Sequence, residues 1–311
     1  MKNICLICGE SYSGSSSYHP SCSRKFFGTE EPPSLEYDIS EINKIAEETV
    51  LKSITLTGVQ PKLSFHLSKT GNGKRKKLTI VGLWGAYILK PPSTAYPFLP
   101  ENEHLTMHLA ESCGIKTVSH ALIRFKSGEL AYITKRIDRS KSGKLHMEDM
   151  CQLQERLTED KYRGSVEQIG KTIEKYSSNP GYDLQRLFEI AVFSFLTGNA
   201  DMHLKNYSLF YRKPDMKELA PAYDLLNTAL VIPEDAEESA LTINGKKSNI
   251  KKSDFDKLSE NLKIIPKVKN TILERIVLSL TNCSETVGHS LLPDQMKEKY
   301  MEIVQKRVGR F

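Results

Sequence analysis

The chain has 311 residues, of which 39% are hydrophobic and 26% charged, with a net charge of +6. That is enough apolar material for one large core or two lobes, and it contains no run of about twenty apolar residues of the kind a membrane helix needs. The start, Met1-Lys2-Asn3-Ile4-Cys5, has no apolar signal region, and three of the six cysteines fall within the first 22 residues rather than forming a disulfide framework. The expectation is a cytoplasmic protein in a reducing setting, with no membrane association.

In chain order, residues 1–30 form a Cys-, Ser- and Gly-rich head, followed by a Glu31-Pro32-Pro33-Ser34 linker. Ile42, Ile45, Ala46, Val50 and Leu51 recur at helical spacing, which predicts a helix over 39–52 with Ser40 as its N-cap. The texture then changes. Leu63, Phe65 and Leu67 alternate with polar residues, and 78–81 and 87–89 are strand-like. The basic run Lys74-Arg75-Lys76-Lys77 follows Thr70-Gly71-Asn72-Gly73 and reads as a solvated hairpin tip. It has no interleaved aromatics of the kind a single-strand nucleic-acid surface uses. A helix is predicted over 101–112, then a hairpin from 121–125 and 130–134. After Asp138 the expectation is helical. The segment Leu184–Leu196 is apolar nearly all round, as a buried helix must be, and 254–263, 267–281 and 291–307 also read as helices.

The predicted architecture is therefore α+β and bilobal. A Cys-rich head (1–30) precedes a β-rich N-lobe (35–137) and an all-α C-lobe (138–311), with the cleft between the lobes as the natural place for a site.

The strongest chemical constellation follows the buried helix. Gly198-Asn199-Ala200-Asp201-Met202-His203-Leu204-Lys205-Asn206 is followed by Leu219-Ala220-Pro221-Ala222-Tyr223-Asp224. Phosphoryl transfer needs a carboxylate to orient the attacking hydroxyl and accept its proton. It also needs oxygen ligands for magnesium, a hard cation. An Asp with an Asn five positions on, here Asp201 and Asn206, has the spacing of a kinase catalytic loop, and Asp224 supplies the later metal-binding carboxylate. Turn and cap roles are the bland alternative. Thr55-Leu56-Thr57-Gly58-Val59-Gln60-Pro61-Lys62 could cradle phosphates through backbone N–H groups, although Pro61 removes one donor. Lys90 closes a short apolar strand and suits nucleotide phosphates, with Glu103 placed to be its carboxylate partner.

Cys5-x-x-Cys8 and His19-x-x-Cys22 have spacing for a structural Cys3His zinc site; free thiols in a packed head are the alternative. His104, His108, His120, His146 and His203 form no recognisable ligand set and read as surface or core residues. His203 is expected to order its loop by hydrogen bonding.

The ordered motifs Thr57–Lys62, Leu89-Lys90-Pro91, Glu101-Asn102-Glu103, Lys135–Arg139, His146–Asp149, Asn199–Asn206 and Leu219–Asp224 resemble those of HipA-like serine/threonine-protein kinase toxins. The resemblance covers about residues 50–280. It implies Asp201 as catalytic base, Asn206 and Asp224 as magnesium ligands, and ATP as the second cofactor. The implied ATP-binding set is Thr57, Gly58, Val59, Gln60, Lys62, Lys90, Lys135, Arg136, Ile137, Gln152, His203 and Lys205, with residues 135–137 at the adenine hinge.

It further implies a toxin that phosphorylates a translation component such as an aminoacyl-tRNA synthetase. The implied neutralising partner is a HipB-like helix-turn-helix antitoxin, through which alone the toxin meets DNA. The short head in place of a longer N-terminal subdomain resembles the HipT-like branch, which works with a small HipS-like protein. Autophosphorylation is expected at Thr55 or Thr57, with Ser53 just upstream. The rival readings are an aminoglycoside-type small-molecule kinase, a silent regulatory pseudokinase and a zinc-based nucleic-acid binder.

Overall fold

Alternating apolar residues build the first half of this computed structural model. It describes all residues except 1–2, 53–60, 70–75, 82–84, 141–142 and 214, with only the backbone described at 3, 46–52 and 69. The chain divides into two compact units: residues 1–108, 118–136 and 289–292, and residues 109–117, 137–288 and 293–311.

In the first unit, β1 (Asn3–Ile4) and β2 (Ser11–Tyr12) form a short hairpin, followed by α1 (Pro20–Phe27). Pro20 suits the first helical turn, where its missing N–H is no loss. The head is anchored to the sheet: Leu122 N donates to Leu6 O at 2.7 Å, Tyr18 OH to Leu122 O at 2.9 Å, and Tyr87 OH to Phe26 O at 3.2 Å. Phe26, Phe27 and Tyr18 are buried there.

Helix α2 (Ile39–Lys52) starts ahead of the expected cap at Ser40. Asp38 O accepts from the N–H groups of Glu41 and Ile42, and Glu41 accepts from Asp38 N at 2.8 Å, so the capping exchange centres on Asp38. Strands β3 (Leu63–Lys69), β4 (Lys76–Ile80) and β5 (Tyr87–Lys90) come next. Helix α3 (Leu99–Ser112) leads to β6 (His120–Arg124) and β7 (Leu130–Lys135). These strands make one antiparallel sheet in the order β4-β3-β5-β7-β6. Leu63, Phe65, Leu78, Leu89, Ala121 and Ile133 bury one face of it.

The second unit opens with a β8 (Arg139–Ser140) and β9 (Gly143–Lys144) ladder, then β10 (Met147–Asp149) and α4 (Met150–Leu153). Helices α5 (Val166–Tyr176) and α6 (Pro180–Leu196) pack together, ahead of β11 (Ser208–Lys213) and β12 (Met216–Leu219). Then come α7 (Thr228–Val231), α8 (Lys252–Asn261), α9 (Pro266–Thr281), α10 (Ser284–His289) and α11 (Asp294–Val308).

The unit is mainly helical, but the all-α expectation needs correction because β10, β11 and β12 form a three-stranded antiparallel sheet. β10 is only three residues long, and Arg212, Lys213, Lys217 and Glu218 interrupt the apolar alternation of the other two. No strand pattern therefore stands out in sequence.

Helix α6 is buried along nearly its whole length, as its composition requires. Two of its charges go inside with it. Arg186 donates to Asp183 at 3.1 Å and to Ala220 O at 3.0 Å, while Asp183 accepts from Leu219 N at 2.9 Å and Ser177 Oγ at 2.6 Å. This satisfied buried pair ties α6 to β12 and fixes the start of the segment leading to Asp224. No helix of the described residues is long and apolar enough to cross a membrane.

Candidate active site

The candidate residues fall into two groups, one in each unit. In the first unit, the extended β5 ends on Lys90, whose side chain turns into the core, and α3 presents Glu103 to it. Lys90 Nζ donates to both carboxylate oxygens, at 2.6 and 2.7 Å. The residues are only 4% and 2% exposed. The ammonium also lies 5.4 Å from the centroid of Tyr132, the residue opposite Lys90 on β7.

Of the other first-unit candidates, Lys62 is exposed just ahead of β3. Lys135 is exposed at the end of β7, where its N–H donates to Ser119 O at 2.9 Å. Arg136 N donates to Ala86 O at 2.9 Å. Thr55, Thr57, Gly58, Val59 and Gln60, together with Ser53, lie outside the described residues.

In the second unit, the loop after α6 is built by its backbone. Gly198 has φ +75°, and an added Cβ would lie 2.7 Å from Asn227 Oδ1 and 2.9 Å from Ile303, so only glycine fits this helix exit. Thr228 Oγ1 accepts from Ala200 N at 2.8 Å and donates to Gly198 O at 3.1 Å. Asn199, buried at 1% exposure, accepts from Asp201 N at 3.0 Å. A single 3-10 turn, Leu204–Asn206, then brings Asn206 back, and its Nδ2 donates to Asp201 O at 2.9 Å. Because a carbonyl can only accept, that bond orients the amide and leaves its oxygen as the ligand atom available to a cation.

Asp201 itself is half-buried, and its Oδ1 accepts from Tyr162 OH at 2.6 Å. Burial, and then the Asp201 charge and hydrogen bond, push the Tyr162 phenol well above its ordinary range, so it stays a donor. Tyr162 has no sequence signal of its own; it lies 39 residues from Asp201. Replacing it with Phe removes the hydrogen bond that holds the carboxylate's rotamer. The expected outcome is a roughly 10-fold fall in turnover, checked by steady-state kinetics.

Asp224 has φ +62°, a left-handed conformation that costs a non-glycine residue on the order of 1 kcal/mol or more. The residue before it, Tyr223, shares a 2.6 Å hydrogen bond with Ser208 Oγ and donates to Lys205 O at 3.1 Å. The segment carrying Asp224 is thereby tied to the loop carrying Asp201 and Asn206. Lys205 pairs with Asp149 at 2.7 Å. Asp149 and Gln152 form the capping box of α4, so the Gln152 side chain is engaged by Asp149 N at 2.9 Å. Ile137 is half-buried at the start of this unit.

His203 hydrogen-bonds within its loop through its backbone: its N–H donates to Asp201 O at 2.8 Å and its carbonyl accepts from Asn206 N at 2.9 Å. Its Nδ1 is buried without a hydrogen-bond partner among the described residues, and the ring packs edge-on against Tyr162 at 5.1 Å. The side chain itself contributes by packing. Burial lowers its pKa below the ordinary value of about 6.5. Folding therefore disfavours the proton: as pH falls below about 6.5 the unfolded chain takes it up first and stability declines, levelling below the folded-state pKa. His203→Gln is expected to flatten that decline, as read by thermal melts from about pH 7.5 to about pH 5.

In the head, the ligand atoms of Cys5, Cys8, His19 and Cys22 all lie within 4.8 Å of one another. Cys8 Sγ is 3.4 Å and Cys22 Sγ 3.8 Å from His19 Nδ1. All six cysteines are free thiols. A Cys3His set of this size fits a tetrahedral zinc ion, and with four protein ligands it leaves no open position.

A sheet with a buried lysine–glutamate pair and a helical unit with Asp201 and Asn206 on one loop, and Asp224 on the segment tied to it, form an α+β arrangement of the kind a kinase uses. Residues 54–285 match the HipA-like C-terminal domain. The chain belongs to the HipA-like family. A kinase-named protein of Haemophilus influenzae is 28% identical over 284 residues, covering 82% of this chain and 80% of that one. The serine/threonine-protein kinase toxin HipA of Shewanella oneidensis is 30% identical over 205 residues, covering 60% of this chain and 45% of the toxin. Among solved structures, a chain of the Shewanella oneidensis HipA, HipB and operator DNA complex superposes with a TM-score of 0.70 at 21% identity. That match covers 89% of this chain and 71% of the other.

Proposed function

We propose that this chain is an ATP- and magnesium-dependent serine/threonine protein kinase that acts as the toxin of a toxin–antitoxin module in the cytoplasm. The observation that carries the reading is the Lys90–Glu103 pair. Removing two charges from water costs several kcal/mol per ion, and apolar residues would serve the core at least as well. A buried lysine held between a sheet and a helix is instead what a nucleotide triphosphate needs.

In this reading Asp201 accepts the proton of a substrate Ser or Thr hydroxyl as that oxygen bonds to the γ-phosphorus. The bond from phosphorus to the β,γ-bridging oxygen breaks, and ADP leaves. Asn206 and Asp224 would hold magnesium, which neutralises phosphate charge when bound. Lys90 would meet the phosphates and the backbone at 135–137 the adenine. Lys62, Gln152, His203 and Lys205 complete the candidate nucleotide set with Thr57, Gly58, Val59 and Gln60. Of these, Gln152 and Lys205 are engaged through Asp149, so their contribution would be to hold the loop.

Family membership supports a protein substrate in the translation machinery, such as an aminoacyl-tRNA synthetase. The DNA complex of the structural neighbour supports a HipB-like antitoxin as partner. The HipT-like branch with a HipS-like companion belongs to the same reading, and the Cys3His cluster favours a structural zinc in the head. Autophosphorylation is proposed at Thr55 or Thr57.

Phosphoproteomics of cells briefly expressing wild type or Asp201→Ala tests the substrate. A dominant Ser/Thr site on a synthetase that vanishes in the variant is expected. A wild-type proteome indistinguishable from that of the variant would overturn the protein-kinase reading. Intact mass after ATP incubation tests the autophosphorylation: one added phosphate is expected, and no mass change contradicts it.

A further inference from the structure

Helix α3 carries His104 and His108 one turn apart, and β6 opens on His120. In sequence these three show no ligand pattern. The fold brings them together, because β6 lies at the sheet edge beside the face of α3 that carries both residues. The ring centroids are 4.4, 5.5 and 4.7 Å apart. Nε2 of His104 and Nε2 of His108 are separated by 3.1 Å, and one ring nitrogen from each histidine lies within 4.8 Å of the other two. His104 and His120 are buried, and His108 is half-buried.

Three imidazole nitrogens within 4.8 Å of one another are a set that one cation can draw on together. The observed 3.1 Å is close to the ligand–ligand edge of about 3.3 Å in a tetrahedron with metal–nitrogen bonds of about 2.0–2.1 Å. Imidazole suits zinc, cobalt, nickel and copper, and among the described residues the cluster holds no carboxylate that would favour magnesium or calcium.

We propose that His104, His108 and His120 form a second metal site, separate from the cysteine cluster of the head, that takes a divalent transition metal such as zinc and leaves one position to solvent. The ion would fasten α3 to β6. Glu103 is the residue before His104, and the His120 ring stacks at 6.1 Å on Tyr132, the ring beneath the Lys90 ammonium. The site therefore braces the helix that supplies Glu103. Metal binding itself does not depend on the kinase reading.

Cobalt(II) titration of the chelator-stripped full chain tests this, because thiolate ligands give intense near-ultraviolet charge-transfer bands and imidazoles do not. The expected result is an equivalent of cobalt with weak visible bands, bound in addition to the one that gives thiolate absorption at the head. The weak-band signal is displaced by zinc, lost in His108→Ala and kept in Cys8→Ser. His108 is the least buried of the three, so this variant disturbs the core least. Wild type that binds no cobalt, or binds it only with thiolate bands, would overturn the proposal without recourse to any variant. So would a folded His108→Ala chain with an undiminished imidazole-type signal.

Discussion

Asp201→Asn is expected to lower kcat by roughly 1000-fold, the range over which a general base contributes. The substitution is close to isosteric. The amide oxygen it introduces can still accept the Tyr162 hydroxyl, and the backbone contacts of residue 201 with Asn199 and Asn206 involve only its N–H and C=O. What is lost is the proton acceptor. The fold and the KM for ATP should therefore hold while turnover collapses. Equal melting temperatures with a fall of less than about 10-fold would remove Asp201 from the role of base.

The second large effect is on stability. Lys90→Met leaves Glu103 in the core with its ammonium partner gone, and Glu103→Gln leaves Lys90 without its carboxylate. Either should destabilise the first unit by about 3–5 kcal/mol, because a buried charge is stranded. The double variant Lys90→Met/Glu103→Leu strands no charge and should recover most of that loss while remaining inactive. Urea unfolding of all three chains checks this. A double variant no more stable than the worse single one would show that the pair is a stabilising anchor, contrary to the functional reading placed on it.

The antiparallel sheet is legible from alternation at Leu63, Phe65 and Leu67 and from the hairpin signal at Lys126–Glu129, since period-two burial writes itself directly into sequence. Helix α6 is legible because a helix apolar all round has nowhere to go but inside. The sheet of the second unit is hidden because its outer residues are charged and its first strand is short.

For the site, the spacing of Asp201, Asn206 and Asp224 speaks locally. Tyr162, Tyr223 and Thr228 do not, because each meets the loop through distant chain segments and looks in sequence like any other polar or aromatic residue. The three-histidine cluster fails for the same reason. His104 and His108 give half the signal at helical spacing, and only strand pairing delivers His120.

The most direct test of the kinase assignment is transfer of label from γ-phosphate-labelled ATP, with magnesium, by the purified chain into dialysed cell lysate, run beside Asp201→Asn. The account predicts label on the hydroxyls of Ser or Thr in protein, lost when magnesium is chelated and absent with the variant. No label on protein, or label that appears equally with wild type and variant, would contradict it.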